Sequence, residues 1–258
     1  MDLGIRGCKA LLSGASRGLG KAAAIALARD GVDLTILART RETLERTAQE
    51  ISALGVKVTT VMGDVTTPEG RKAALAACPE PDILINSADG SLPGEFRSYT
   101  RADWLAALDA MMLAPIEMMR ATVDGMMARK FGRIINISSR SAKVAQMENP
   151  LSNGSRAGLI GFVAGLSRQT VAHNVTINNI LPGIFDTDAQ RHHIEVLVEQ
   201  TGKSFEQIRN ERAAGNPAKR YGRAEEFGAY CAFLCSAQAG FITGQNLLID
   251  GGSYPGTY

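Results

Sequence analysis

Three glycines, Gly14, Gly18 and Gly20, stand in the run Ser13-Gly14-Ala15-Ser16-Arg17-Gly18-Leu19-Gly20, after an apolar stretch and before an alanine-rich one. Glycine permits a tight turn and lets backbone N–H groups approach a pyrophosphate at a helix N-terminus. The chemistry this spacing suits is dinucleotide binding, provided a strand enters the turn and a helix leaves it. Other reactive residue types offer less. The four cysteines (Cys8, Cys78, Cys231 and Cys235) contain no CxxC pair, and Cys231 and Cys235, four apart, read as small core residues on one helix face. The histidines His173, His192 and His193 have no partners at metal-ligand spacing, so no metal site is expected. His173 reads as a cation near a helix end.

Short apolar runs that could carry such a turn recur along the chain. Strands are predicted at 9–13, 33–37, 56–61, 82–86, 133–137, 175–180 and 246–249. Several are β-branched and apolar on both parities, as strands buried on two faces must be. Helices are predicted between them at 19–29, 41–54, 68–77, 101–128, 155–172 and 224–235. This alternation, without a long Gly/Ser or Pro linker, predicts an α/β fold: one Rossmann domain over 1–258, with a doubly wound parallel sheet of about seven strands and helices on both faces. A polar, helical segment at 187–219 interrupts the alternation and is expected to lie over the ligand crevice.

Composition excludes other classes. The 258 residues are 45% apolar, enough for one large core. Net charge is +2, with Lys and Arg interspersed among Asp and Glu, which points neither to nucleic acid nor to an anionic membrane. No apolar run approaches the ~18 residues of a membrane span. The opening residues lack a charged-then-apolar signal pattern. A cytoplasmic, reduced protein is expected.

The glycine run resembles the fingerprint of the short-chain dehydrogenase/reductase family. So do Gly63-Asp64-Val65 after the third strand, Asn86-Ser87-Ala88 after the fourth, GRIINISS at 132–139, Asn179-Ile180-Leu181-Pro182-Gly183, and FITGQ at 241–245 followed by Asp250-Gly251-Gly252. These matches occur in family order over about 14 to 252, and they are most similar to the 3-oxoacyl-carrier-protein reductase-like branch.

The resemblance implies an oxidoreductase of a carbonyl or alcohol substrate, an acyl thioester among the candidates. It places Gly14, Ser16, Arg17, Gly18, Leu19 and Gly20 at the pyrophosphate end. Asp64 would bind the adenine amino group, with Val65 beside it. Asn86 and Ala88 would stand near the ribose. Ile184 and Thr187, after Pro182-Gly183, would contact the nicotinamide amide. Asp89 departs from the glycine the family has after Ala88. An NAD site usually ends its second strand with an acid. Here the strand ends Leu37-Ala38-Arg39, and the resemblance sets Arg39 and Arg17 beside the ribose 2′-position, where two guanidiniums suit a phosphate. NADP (NADPH) is therefore favoured over NAD. The alternative for Arg39 is a solvated residue heading the next helix.

At the chemical end the family uses Asn, Ser, Tyr and Lys. Ser139 occupies the Ser place. Thirteen residues on, the Tyr place holds Ser152, and the Lys place holds Arg156, at the head of RAGLIGF. The Asn place, twenty-one residues before Gly132, holds Met111. Arg156 could still hold ribose hydroxyls and supply positive charge. Ser152 is shorter than a Tyr and far less acidic, and it also reads as a helix N-cap in Pro150-Leu151-Ser152-Asn153-Gly154. Lys143, four residues after Ser139, is a candidate proton source if desolvated, or an exposed loop residue. Arg140, Gln146, Glu148 and Asn153 are candidate substrate contacts.

Two readings stay open: an NADP-dependent oxidoreductase with a rearranged site using Ser139, Ser152, Arg156 and Lys143, or a dinucleotide-binding member of the family without catalysis, acting as a sensor or structural partner. The resemblance also implies a homodimer or homotetramer assembled through the methionine-rich helix at 101–128 and the Gly/Ala-rich helix at 155–172. No nucleic acid or membrane partner is expected.

Overall fold

Apolar residues on both parities of a strand oblige a sheet to be covered on both faces. A computed structural model, which describes residues 1–88, 90–91 and 93–257, has that arrangement. Strands β1 (Lys9–Ser13), β2 (Asp33–Ala38), β3 (Val58–Met62), β4 (Ile83–Asn86), β5 (Gly132–Ile137), β6 (Val175–Pro182) and β7 (Asn246–Ile249) form one sheet in the order β3-β2-β1-β4-β5-β6-β7. Every pairing is parallel. Ala10, Leu12, Ile36, Ile83, Ile85 and Ile135 fill the core on one face, while Leu11, Leu37, Leu84, Ile134 and Ile177 fill the core on the other.

The helices are α1 (Gly18–Arg29), α2 (Arg41–Ser52), α3 (Pro68–Ala77), α4 (Arg101–Leu108), α5 (Ala114–Arg129), α6 (Pro150–Thr170), α7 (Asp188–Thr201), α8 (Phe205–Gly215) and α9 (Ala224–Leu234). None of the described helices is long and apolar enough to cross a membrane. The strand order reverses between β1 and β4, and in an open parallel sheet ligands bind beyond the carboxyl ends at that point.

Three differences from the sequence-based expectation have physical causes. The helix expected at 101–128 is broken by a π turn at Asp109–Leu113 that holds Met111. The helix expected at 155–172 starts at Pro150, because a proline in the first helical turn gives up an N–H that has no intrahelical partner there. The polar segment at 187–219 resolves into α7 and α8, closed over Ile194, Ile208 and Tyr221. Of the methionines on the stretch expected to form an assembly surface, Met111, Met118, Met119 and Met126 are buried within the chain's own core and Met112 and Met127 are half-buried.

The sheet centre carries a polar ladder. Asn86 Nδ2 donates to Asn136 Oδ1 at 2.9 Å, Asn136 Nδ2 to Asn179 Oδ1 at 2.9 Å, and Asn179 Nδ2 to Asn246 Oδ1 at 2.8 Å. It crosses four adjacent strands, from the carboxyl end of β4 through the middle of β6 to the start of β7, and fixes their register beside the site. Asn136→Leu leaves a buried amide N–H and a buried amide oxygen unpaired, at about 1–3 kcal/mol each. The expected result is a melting temperature lower by roughly 5–10 °C, read by circular dichroism.

Candidate active site

Strand β1 ends at Ser13, whose hydroxyl donates to the Ser87 carbonyl at 2.8 Å and accepts from the Ser87 N–H at 2.9 Å. This reciprocal pair joins the ends of β1 and β4 at the switch point. The glycine run turns there into α1. Gly14 has φ +60°, and a Cβ on it would lie 2.7 Å from the Ser87 carbonyl oxygen. A Cβ on Gly20 would lie 2.3 Å from the Gly14 carbonyl oxygen. The turn is thus packed so tightly that only glycine fits. Thr47 of α2 anchors it from behind, its hydroxyl donating to the Ser16 carbonyl at 2.8 Å. Arg17 is the N-cap of α1, and its side chain does not cap the helix, so the N–H groups of the first turn keep their capacity for an anion.

A cavity of about 440 Å³ opens over this turn. Of the residues predicted to hold a cofactor, Gly14, Ser16, Arg17, Gly18, Leu19, Gly20, Arg39, Asp64, Val65, Ala88, Arg156, Pro182 and Thr187 line it. Arg39 is exposed, with Nη1 3.9 Å from Asp64 Oδ2. The other carboxylate oxygen of Asp64 accepts from the backbone N–H of Thr66 at 2.9 Å and from its hydroxyl at 2.8 Å, which fixes Asp64 on the cavity wall. Asn86 stands behind the wall, with a buried Oδ1 that has no partner among the described residues. Thr187 caps α7, accepting from the Gln190 N–H.

Two further residues predicted to contact the cofactor do not line this cavity. Ile184 packs instead, partly buried, against Ile194, Ile208 and Tyr221. Gly183 donates its N–H to the Ile249 carbonyl at 3.0 Å, where a Cβ would meet Asp250 at 2.8 Å. Its role is a close crossing of β6 and β7. Asp89 lies outside the described residues.

The chemical corner is compact. Ser139 caps a 3-10 turn at Arg140–Ala142; its Oγ accepts from the Ser141 N–H at 3.1 Å and so keeps its own O–H for donation. Ser152 is not the N-cap predicted. Asn149 is, and Ser152 lies buried in the first turn of α6. There its Oγ is 2.9 Å from Ser141 Oγ and accepts from Arg156 Nε at 3.2 Å, one helical turn on. Arg156 Nη1 donates to the Ile137 carbonyl at 3.2 Å. Among the described residues no carboxylate pairs with Arg156, and burial pulls its guanidinium down to about 10. Met111 packs against Leu151 and Ala107 beside this corner. Ser138, on the cavity wall, has a buried Oγ with no partner among the described residues.

The other candidates are not brought here. Lys143 is exposed, and its ammonium lies 5.5 Å over the Tyr254 ring. Arg140 donates to Ser253 Oγ at 2.7 Å. Asn153, in the first turn of α6, holds the backbone of Gln146 in the preceding loop. His192 pairs with Glu195 at 3.1 Å. The described residues contain no group of three or more His, Cys, Asp or Glu that could hold a metal ion. Sequence reasoning missed Ser141, which nothing in its flanking residues distinguishes. It also missed the asparagine ladder, whose signal is a run of amides inside strands otherwise apolar on both parities.

A doubly wound parallel sheet with a glycine turn at its switch point and a serine–arginine corner across the crevice defines a dinucleotide-binding fold of the oxidoreductase type. The chain belongs to the short-chain dehydrogenase/reductase family, and its residues 14–254 match the family profile described as enoyl-(acyl carrier protein) reductase. It is 32% identical to the NADPH-dependent reductase BacG of Bacillus subtilis (strain 168) over 95% of this chain and 96% of that one. It is 31% identical to the 3-oxoacyl-[acyl-carrier-protein] reductase FabG of Vibrio cholerae over 98% and 99%. The crystal structure of L-sorbose reductase from Gluconobacter frateurii complexed with NADPH and L-sorbose superimposes with a TM-score of 0.93 at 29% identity, covering 99% of this chain and 100% of that one.

Proposed function

We propose that the protein is an NADPH-dependent reductase of a carbonyl compound, with Ser139, Ser152 and Arg156 handling the proton. One observation carries this reading: a buried guanidinium, unpaired with any described carboxylate, stands on the wall of the cofactor cavity and holds a serine hydroxyl. An uncompensated buried cation costs several kcal/mol, so its retention points to a charge that develops during the reaction.

The residues present fit the cofactor. The glycine turn accepts nothing larger than hydrogen, the α1 N-terminus offers N–H groups, and the buried Asn86 Oδ1 has acceptor capacity unused by the described residues. Bound NADPH would supply a hydride. The Ser139 hydroxyl would donate to the substrate's carbonyl oxygen and hold it. Arg156 would stabilise the negative charge growing on that oxygen and, through Nε, polarise the Ser152 hydroxyl. Ser152 would pass its proton to the oxygen, and Ser141, its partner, would relay the replacement. Lys143 has no part in this scheme.

Arg17 and Arg39 support NADPH over NADH, since both are exposed on the cavity rim and β2 ends without an acid. The exposed Arg39–Asp64 pair is weak enough to give way to a phosphate. Arg39→Ala is expected to weaken NADPH binding about tenfold or more and to leave NADH binding nearly unchanged, read by fluorescence titration. The reading as a whole is tested by titrating the protein with NADPH and NADH and then supplying a carbonyl panel that includes 3-oxoacyl thioesters. Binding of NADPH with its oxidation by some carbonyl is the expected result. Binding without oxidation across the panel would favour the non-catalytic alternative.

The protein would act in the cytoplasm, where its four free cysteines stay reduced. We place the interface of a homodimer, or of a tetramer built from it, on α5 and α6. Ala121, Gly125 and Ala128 on α5, and Gly161, Phe162, Ala164 and Gly165 on α6, are exposed small or apolar residues. Phe162→Glu is expected to shift sedimentation to the monomer.

A further inference from the structure

Helices α7 and α8 carry a polar cluster close in sequence to the Thr187 end of the cavity. Gln190 and His193 stand three apart on α7 and so share one face. Arg212 of α8 reaches that face, with Nη1 3.4 Å from His193 Nε2, and the Tyr221 phenol beside it donates to the Arg209 carbonyl at 3.4 Å. Two donor atoms here, Gln190 Nε2 and Arg212 Nε, are buried and have no hydrogen-bond partner among the described residues. A buried donor left unpaired costs about 1–3 kcal/mol. Two of them around one imidazole call for an acceptor supplied from outside the chain.

The cluster is bound to the chemical corner by short stretches of chain. Gln190 is one turn into the helix that Thr187 caps on the cavity wall. Opposite stands Glu148, in the loop between Ser139 and Ser152, and among the described residues its carboxylate is the only one that acts on His193. Burial first, and the charge of Arg212 second, pull the His193 imidazole down to about 4, so it is neutral at physiological pH. One guanidinium facing one glutamate leaves little net positive charge, which suits a monoanion better than a phosphate dianion. With Nη1 turned to His193, the Nε edge of the guanidinium remains for a planar, bidentate acceptor.

We propose that Arg212, Gln190 and His193 bind a carboxylate of the substrate, so that the carbonyl compound reduced at Ser139, Ser152 and Arg156 is an oxo acid. The oxo-acid assignment rests on the reductase reading above; the carboxylate site itself does not. The test therefore reads binding without NADPH, using glutarate as the probe and the His193 ring signals in NMR as the readout. Saturable shifts are expected in the unmodified protein. Arg212→Gln should weaken glutarate about tenfold or more. Glu148→Gln, on an exposed residue and therefore safe for folding, should tighten it about threefold or more by removing a like charge. NADPH affinity should be the same in all three. In turnover, 5-oxohexanoate should have a KM about tenfold below that of its methyl ester, and Arg212→Gln should erase the difference. Absence of glutarate binding, equal binding by Arg212→Gln, or no tightening by Glu148→Gln would overturn the proposal and leave the two donors to water. Glutarate that binds as expected to a protein that oxidises NADPH with no carbonyl would overturn the oxo-acid assignment along with the reductase reading, while the carboxylate site would stand.

Discussion

Arg156→Leu is expected to lower kcat/KM for carbonyl reduction by about 10²- to 10³-fold, the usual loss when a preorganised group that stabilises a developing oxyanion is removed. The cause is specific to this residue. Its guanidinium is buried, its hydrogen-bond partners among the described residues are Ser152 Oγ and the Ile137 carbonyl, and it stands on the cavity wall. Leucine keeps apolar volume and removes a charge that no described carboxylate compensates, so the melting temperature is expected to hold. NADPH affinity should change much less than kcat, because the pyrophosphate end of the cavity lies on another element. Steady-state kinetics with a thermal melt on the same preparation separate the two. A large fall in melting temperature with activity preserved would make Arg156 a structural residue.

Gly20→Ala is expected to raise the Kd for NADPH about 100-fold or more while leaving most of the fold intact. A Cβ at 2.3 Å from the Gly14 carbonyl oxygen cannot be accommodated, and the atom it meets is backbone, so the turn and the start of α1 must part. Overpacking of this kind costs about 1–3 kcal/mol in stability. A displacement of about 1 Å in a positioning element costs about 10² in function. Fluorescence titration with NADPH checks it. Affinity within threefold of the unmodified protein would mean that the turn does not hold the pyrophosphate.

The parts of the fold legible in the sequence are those written by periodicity and by turn chemistry. Lys9–Ser13, Pro68–Ala77 and Asn246–Ile249 were predicted to the residue. The glycine run was legible as a dinucleotide-binding turn because strand, turn and helix follow one another within a few residues. What failed was context. Pro150 and Gly154 read as a loop, yet a proline at the first helical position and a tertiary seat for the helix carry α6 through both. The break at Asp109–Leu113 did have a signal that periodicity passed over: Pro115 has no N–H to give the Met111 carbonyl four residues back, so an unbroken α-helix cannot run through it. Ser141 and Ser152 are eleven residues apart, and only the fold brings their hydroxyls to 2.9 Å. Lys143 had the chemistry of a proton source, but nothing in its neighbours showed that it faces Tyr254 instead. His193 and Arg212 lie on different helices, so their convergence could not be read from spacing.

The corner formed by Ser139, Ser152 and Arg156 is the centre of the functional reading, and single-turnover oxidation of prebound NADPH by a carbonyl substrate tests it most directly. The unmodified protein should oxidise NADPH. Ser152→Ala should slow that step by about 10²-fold, within the range for loss of a positioned proton donor, with NADPH affinity unchanged. Equal rates in the two proteins, or NADPH bound and never oxidised by either, would contradict it.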